Sequence, residues 1–336
     1  MTVNNTPLVD PFGRRIRYLR LSVTDRCDMR CRYCMAESMT FLPREAVMSI
    51  EEAAQIAHAF IDRGVTKIRL TGGEPLVRKG VDELAANLGK RLAQAGGLDE
   101  LTLTTNATYL DRHADALAAA GIRRINVSLD SLDAERFRQI TRRGELDRTL
   151  AGIRAASDAG IKIKINTVAL KGLNEDDILP LMRWCAGEGH DLTLIETMPL
   201  GRIDEDRTDR YLPLPELRTR IEQDYSLAPL SETSGGPARY WRVGELGLKL
   251  GLITPLSNNF CDGCNRVRLS ATGRLYLCLG HDDKVDLLSA LRNGGEAAMH
   301  QAMDDALRLK PLRHQFEQDM DAGVPSVQRH MSVTGG

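Results

Sequence analysis

Cys27, Cys31 and Cys34 stand in a CxxxCxxC spacing in the run Thr24–Cys34. Three thiolates this close on one loop can hold an iron–sulfur cluster by three corners and leave the fourth iron open to a small molecule. A zinc knuckle is the alternative, but a structural zinc asks for four ligands and no fourth Cys or His lies in the loop. A second trio follows far downstream, Cys261 and Cys264 in Phe260–Arg268 and then Cys278. Here zinc carries more weight, because His281 lies three residues past Cys278 and could complete a Cys3His set. The trios use six of the seven cysteines; Cys185, in the helical run Leu181–Ala186, reads as a buried small hydrophobe. The chain opens without an apolar leader, so a reducing cytoplasm is expected, where clustered cysteines bind metal more often than they pair.

Elements must position these thiolates. Short strand candidates at Tyr18–Val23, Lys67–Thr71, Leu101–Thr105, Ile125–Leu129, Ile161–Val168 and Leu192–Glu196 alternate with helical stretches such as Ile50–Ile61 and Asp111–Ala120. That is a parallel βα series. It breaks at the charged stretch Pro199–Pro215, and beyond the turn Ser234–Pro237 the runs Arg239–Val243, Leu248–Ile253, Val267–Ser270 and Leu275–Leu279 read as short antiparallel strands. Two helical segments, near Val285–Arg292 and Glu296–Leu309, come after them. The 336 residues exceed what a βα barrel of roughly 200–250 residues needs, leaving room for a smaller second domain. The expected division is an N-terminal extension 1–16, a partial barrel 17–200, a C-terminal α+β domain 201–326 and a tail 327–336.

Period-two alternation gives the strands two unlike faces. Lys67, Arg69 and Thr71 oppose Ile68 and Leu70; Lys162, Lys164 and Asn166 oppose Ile161, Ile163 and Ile165. Thr102, Thr104 and Asn106, and Asn126, Ser128 and Asp130, form two more polar faces. Helices cover the outside of a parallel barrel, so the polar faces should point inward. A closed barrel fills its lumen with branched apolar side chains. A polar, cationic lumen therefore implies an incomplete, open βα barrel with a wet interior suited to an anion, to which Arg offers a planar fork of donors and Lys a mobile point charge. One-sided exposure to solvent is the plainer alternative. No Walker-type or GxGxxG loop is present, and a net charge of −1 gives no global footprint for nucleic acid. No apolar run approaches a membrane span.

CxxxCxxC with Tyr33 before the third cysteine, followed by Thr71-Gly72-Gly73-Glu74-Pro75, resembles the radical S-adenosylmethionine (SAM) superfamily. The paired glycines would let backbone approach the methionine moiety closely. Cys-x2-Cys-Asn-Arg-x-Arg with a third cysteine further on resembles, within it, the GTP 3',8-cyclase family that opens molybdenum cofactor biosynthesis. The resemblance implies an open parallel βα barrel of the radical SAM type and two 4Fe-4S clusters, one on Cys27, Cys31 and Cys34 and one on Cys261, Cys264 and Cys278. It implies SAM contacts at Tyr33, Gly73, Ser128 and Met198. For GTP it implies Arg20, Lys67, Arg69, Thr104, Lys164, Arg266, Val267 and Arg268, and a catalytic role for the terminal Gly335 and Gly336, whose slim tail would enter the site. The implied reaction is cleavage of SAM, hydrogen abstraction at ribose C3' and attack on guanine C8. Implied partners are a flavodoxin or ferredoxin as reductant, the downstream cyclic pyranopterin monophosphate synthase and a second copy in a homodimer. One departure stands out: members often carry Arg-Phe-Ile-Glu on the sixth strand where this chain has Thr193-Leu194-Ile195-Glu196. A radical SAM maturase acting on a peptide and a zinc-stabilised binding module are the other classes open at this point.

Overall fold

The computed structural model describes residues 6–201, 208–232, 235–316, 319 and 327–335. Six parallel strands form the centre of the sheet: β1 Tyr18–Ser22, β2 Lys67–Thr71, β3 Glu100–Thr105, β4 Arg124–Ser128, β5 Lys162–Ala169 and β6 Asp191–Glu196. Helices α1 Ile50–Asp62, α2 Val81–Gly89, α3 Leu110–Ala119, α4 Ala134–Thr141, α5 Leu146–Asp158 and α6 Ile178–Gly187 lie between them. Helix α1 starts on a capping box, in which Ser49 accepts from the Glu52 N–H and the Glu52 carboxylate accepts from the Ser49 N–H, so two otherwise orphaned donors are satisfied.

The alternation read from the sequence governs the packing. Ile68, Leu70, Leu101, Leu103, Ile125, Val127 and Ile165 are all essentially inaccessible in one core beneath the helices, with Cys185 of α6 among them. Each such burial is worth about 1.5–3 kcal/mol. The opposite faces align across strands, with Arg268, Arg20 and Arg69 side by side in register and Asn126 beside Lys164.

The downstream segment differs from expectation in how it joins. It supplies α7 Leu214–Ile221, β7 Leu227–Leu230, β8 Arg239–Val243, β9 Leu248–Ile253, β10 Arg266–Leu269, β11 Arg274–Tyr276, β12 Lys284–Asp286, α8 Leu287–Arg308, broken at Gly295, and α9 Met331–Thr334. The pairs β8–β9 and β10–β11 are antiparallel as expected. Yet β9 docks parallel on β6 and β10 parallel on β1, so the same segment covers both edges of the six-stranded centre and one open, twelve-stranded sheet results. Unpaired edges are costly and prone to mispairing, which is the physical reason the chain returns to both.

Candidate active site

Strand β1 leads directly into the first cysteine loop. The loop's root is fastened to the end of β2 by backbone hydrogen bonds from Val23 N to Thr71 O at 3.0 Å, Gly73 N to Thr24 O at 2.9 Å and Glu74 N to Arg26 O at 2.8 Å. A Cβ on Gly73 would lie 2.3 Å from the Arg26 carbonyl oxygen, and one on Gly72 2.3 Å from that of Thr24. The side of each glycine where a Cβ would stand is thus filled by the protein's own backbone, while both glycines also line the first cavity. Further along, Arg30 N and Arg32 N pair with carbonyls of Thr141 and Ile140 at the end of α4. The Arg30 guanidinium donates to the Cys27 carbonyl at 2.7 Å.

Cys27, Cys31 and Cys34 open on one cavity, which Gly73, Thr104, Ser128, Met198 and Met331 also line. Buried carboxyls surround it. Glu74 accepts from Asn106 N at 2.7 Å, Thr105 Oγ1 at 2.8 Å and Leu76 N at 3.0 Å, and its burial, opposed by those bonds, pushes it up to about 7. Burial pushes Asp130 up to about 6, against hydrogen bonds from Val168 N and from the Tyr33 phenol, 2.8 Å away. Burial, with Glu74 beside Cys27 and Asp130 beside Cys31, holds both thiols well above their ordinary value.

Cys261, Cys264 and Cys278 open on a second cavity with Arg20, Arg69, Lys164, Arg266 and Arg268. The two cavities share Asn166, Ile195 and Met198 as a common wall. Burial drives Arg20 and Lys164 well below their usual values, helped by Arg268 beside the one and Arg69 beside the other. Arg20 Nε and Nη2 and Arg69 Nε are buried without a hydrogen-bond partner, so this wall holds donors with no protein acceptor, and an anionic ligand fits them. Burial opposes ionisation of Cys264, but Arg266 and Lys310 outweigh it and bring the thiol down to about 7.

Each trio brings three cysteine thiols to one cavity, the donor set by which a cluster is held at three corners. Among the described residues no three His, Cys, Asp or Glu side chains converge on a point that one metal ion could occupy. A cubane cluster spreads its thiolates over separate corners and does not need that convergence. His281 is not part of the second cavity's wall; its Nε2 lies 3.0 Å from the Arg313 carbonyl oxygen and its Nδ1 faces Asp283.

The chain matches the Radical SAM superfamily over residues 21–185 and the family Molybdenum Cofactor Synthesis C over residues 190–316. It is 57% identical to the GTP 3',8-cyclase of Rhizobium meliloti (strain 1021) over 100% of this chain and 96% of that one. To the GTP 3',8-cyclase of Sinorhizobium medicae (strain WSM419) it is 58% identical over 98% of this chain and 94% of that one. The chain belongs to the GTP 3',8-cyclase family. Among solved structures, Streptococcus suis SuiB superposes with a TM-score of 0.60 at 16% identity, over 91% of this chain and 69% of that one, a likeness of fold alone.

Not every residue that the family resemblance picked out sits as expected. Lys67 is absent from the wall of the second cavity: its Nζ pairs with Glu100 at 2.6 Å, over the Tyr18 ring. Thr104 lines the first cavity and not the second. The Val267 side chain points into the apolar core, 1% exposed, which leaves its backbone for any contact. Lys164 Nζ donates to the Tyr240 phenol oxygen at 2.8 Å. Thr193, which the resemblance marked as a departure, is fully buried opposite Gly251; a Cβ on Gly251 would lie 2.7 Å from Thr193 Oγ1 and 2.9 Å from Tyr240 Cε1. Tyr240 thus packs against Gly251 and Thr193 and holds the ammonium of Lys164, which does line the second cavity. Gly335 meets the lumen face, with Arg268 Nη1 donating to its carbonyl at 3.0 Å, whereas Gly336 lies outside the described residues.

Glu74, Asn106 and Asp130 stand in the motif and polar faces read from the sequence but were given no site role there, and Tyr240 was missed. The first three follow strand ends β2, β3 and β4, where ligand-facing residues of parallel sheets gather, and that position was the available signal. Asn106 Nδ2 reaches Asp28 at 2.7 Å and Cys27 Sγ at 3.9 Å, joining the loop to β3. Nothing in the sequence marks Tyr240.

Proposed function

We propose that the two cavities act as one active site, with SAM held in the first and GTP in the second. The chain converts GTP to 3',8-cyclo-7,8-dihydro-GTP, the first step of molybdenum cofactor biosynthesis. The observation that carries this reading is the shared wall of Asn166, Ile195 and Met198 between two cavities that each present three cysteines.

Cys27, Cys31 and Cys34 would hold one 4Fe-4S cluster, and Cys261, Cys264 and Cys278 the other. When bound, the first cluster would supply the electron that cleaves SAM, so that hydrogen is taken from ribose C3', that carbon bonds to guanine C8, and one further electron from the reductant with a proton completes the dihydro product. The chain's residues do the remaining work. Tyr33, Gly73, Ser128 and Met198 line the SAM side, where the buried Glu74 carboxyl would offer an acceptor to an ammonium group and Asp130 would hold the Tyr33 phenol in place. Arg20, Arg69, Lys164, Arg266 and Arg268 converge on the triphosphate, and water is excluded by the tail passing the lumen. Lys67 has the weakest claim, being already paired.

A small acidic electron carrier such as flavodoxin or ferredoxin would supply reductant, and cyclic pyranopterin monophosphate synthase would take the product. Free thiols in both trios suit a cytoplasmic setting, and no described helix is long and apolar enough to cross a membrane. A homodimer would cover the exposed apolar side chains Val9, Phe12, Leu309 and Leu312, 41–53% accessible. The division into an extension, barrel, C-terminal domain and tail stays useful, with the C-terminal part joined edge to edge to the barrel.

Anaerobic loading with iron and sulfide tests this reading. The expected content is about eight iron per chain, from two cubane clusters. Product should form from SAM and GTP, and replacing Cys27, Cys31 and Cys34 by Ala should halve the iron and end SAM cleavage. Iron near four with one zinc would overturn it.

A further inference from the structure

Each cysteine of the second trio is backed by one basic side chain, and the three come from distant parts of the sequence. Arg14, in the N-terminal hairpin, donates from Nη1 to the Cys261 carbonyl at 2.8 Å; its Nε is fixed by Asp10 at 2.6 Å and its Nη2 holds the Pro311 carbonyl at 2.7 Å. Lys310, just past α8, places Nζ 3.7 Å from Cys264 Sγ and donates to the carbonyls of Arg266 at 3.0 Å and Leu277 at 2.5 Å. Arg329, at the start of the tail, donates from Nη2 to the carbonyls of Cys278 at 3.1 Å and Leu279 at 2.5 Å, and lies 4.4 Å over the Tyr276 ring.

Lys310 is only 3% exposed. A buried ammonium is expensive unless its hydrogens are all used, and here two go to carbonyls and one to sulfur. The first trio is surrounded differently. Arg30 donates to the Cys27 carbonyl, while Asp28, Glu74 and Asp130 crowd the same loop with carboxyls. Iron–sulfur potentials depend on net charge and on hydrogen bonds to the sulfurs, since added positive charge favours the more negative, reduced cluster.

We propose that Arg14, Lys310 and Arg329 form a cationic clamp that holds the second cluster and raises its reduction potential. The clamp rests on the reading that Cys261, Cys264 and Cys278 carry that cluster. These are positioning residues: they act through the cysteines and their backbone, and they tie the N-terminal hairpin, the end of α8 and the tail to one centre.

The test uses full-length protein with Cys27, Cys31 and Cys34 all replaced by Ala, loaded anaerobically, so that the second cluster alone is seen. Iron content and an EPR-monitored redox titration are then compared for this parent and for added Arg14→Gln, Lys310→Gln, Lys310→Arg and Arg329→Gln. The expected result is a shift of the potential to more negative values in the Gln variants, largest for Lys310→Gln, with Lys310→Arg close to the parent. Gln variants that keep the cluster at an unchanged potential would overturn the clamp. If Lys310→Gln fails to hold iron, retention by Lys310→Arg upholds the clamp and loss in both overturns it. A parent that binds no iron would remove the second-cluster reading itself, and the clamp with it.

Discussion

Arg268 donates from Nη1 to the carbonyl oxygen of Gly335 at 3.0 Å, so a guanidinium of the second cavity's wall and the C-terminal tail meet at one place. Arg268 is buried, and its burial, with Arg266 beside it, brings it down to about 10, still a cation at neutral pH. Gly335 has φ +72°, and a Cβ on it would lie 2.3 Å from the Thr71 side chain. Both the backbone conformation and the contact require glycine here.

The tail should therefore matter to rate before it matters to stability. Gly335→Ala, or deletion of Gly335 and Gly336, should lower cyclisation about a hundredfold or more, the cost of misplacing a reacting group by about 1 Å. Melting temperature and iron content should stay at the parent values. Turnover assays under anaerobic conditions check this, and normal turnover would mark the tail as a loose end.

Arg266→Ala and Arg268→Ala should separate two functions. Each should weaken GTP binding by about 1.5–3 kcal/mol, the worth of a charge-assisted hydrogen bond, with SAM affinity unchanged. Only Arg268→Ala should also release the tail, seen as faster limited proteolysis near the C-terminus. Equal GTP affinity in an equilibrium titration would exclude both arginines from substrate contact.

Gly73→Ala should disable the first centre without touching the second. The added methyl must displace the Arg26 carbonyl, and with it the root of the cysteine loop. Iron should fall by about half, to the content of one cubane cluster, and SAM cleavage should cease. Full iron content in the variant would show that the backbone there yields.

Glu74 gives the apoprotein a pH dependence of known sign. Its folded pKa of about 7 stands above the ordinary 4.5, so the folded state holds the proton more tightly, and stability is lost as pH rises through that interval. Glu74→Gln removes the titration while leaving donors facing an amide, at a cost of about 1–3 kcal/mol. The variant should melt lower than wild type but lose less between about pH 5 and about pH 7.5. Parallel melting curves across that range would place the titration elsewhere.

Much of the site was legible because chemistry and periodicity leave local marks. The cysteine spacings identified both trios, and the alternation of Lys164 and Asn166 against Ile163 and Ile165 identified the lumen face, although Lys162 at the start of that strand is exposed to solvent. Long-range pairing left no such mark. β9 and β10 read as antiparallel because the sequence shows each with its hairpin neighbour and cannot show β6 or β1. β7 contains Pro229 and β12 is a charged three-residue strand, so neither carries a strand pattern. Lys310 and Arg329 look like ordinary surface cations until folding buries them against cysteines from other segments.

Covering both edges of the central sheet with one downstream segment fixes an order of events during synthesis. Strand β6 is complete at Glu196, but β10 ends only at Leu269, 73 residues later (269 − 196). At about 5–20 residues per second the ribosome takes on the order of 4–15 s to make that stretch. For that interval β1 presents unpaired backbone to the cell, and β6 does so until β9 is complete at Ile253, the condition in which strands add to foreign chains. A ribosome that stalls between Glu196 and Ile253 releases a half-sheet with both flanks open, so the nascent chain's need for a chaperone peaks after its first two hundred residues and ends when a single returning segment closes both sides.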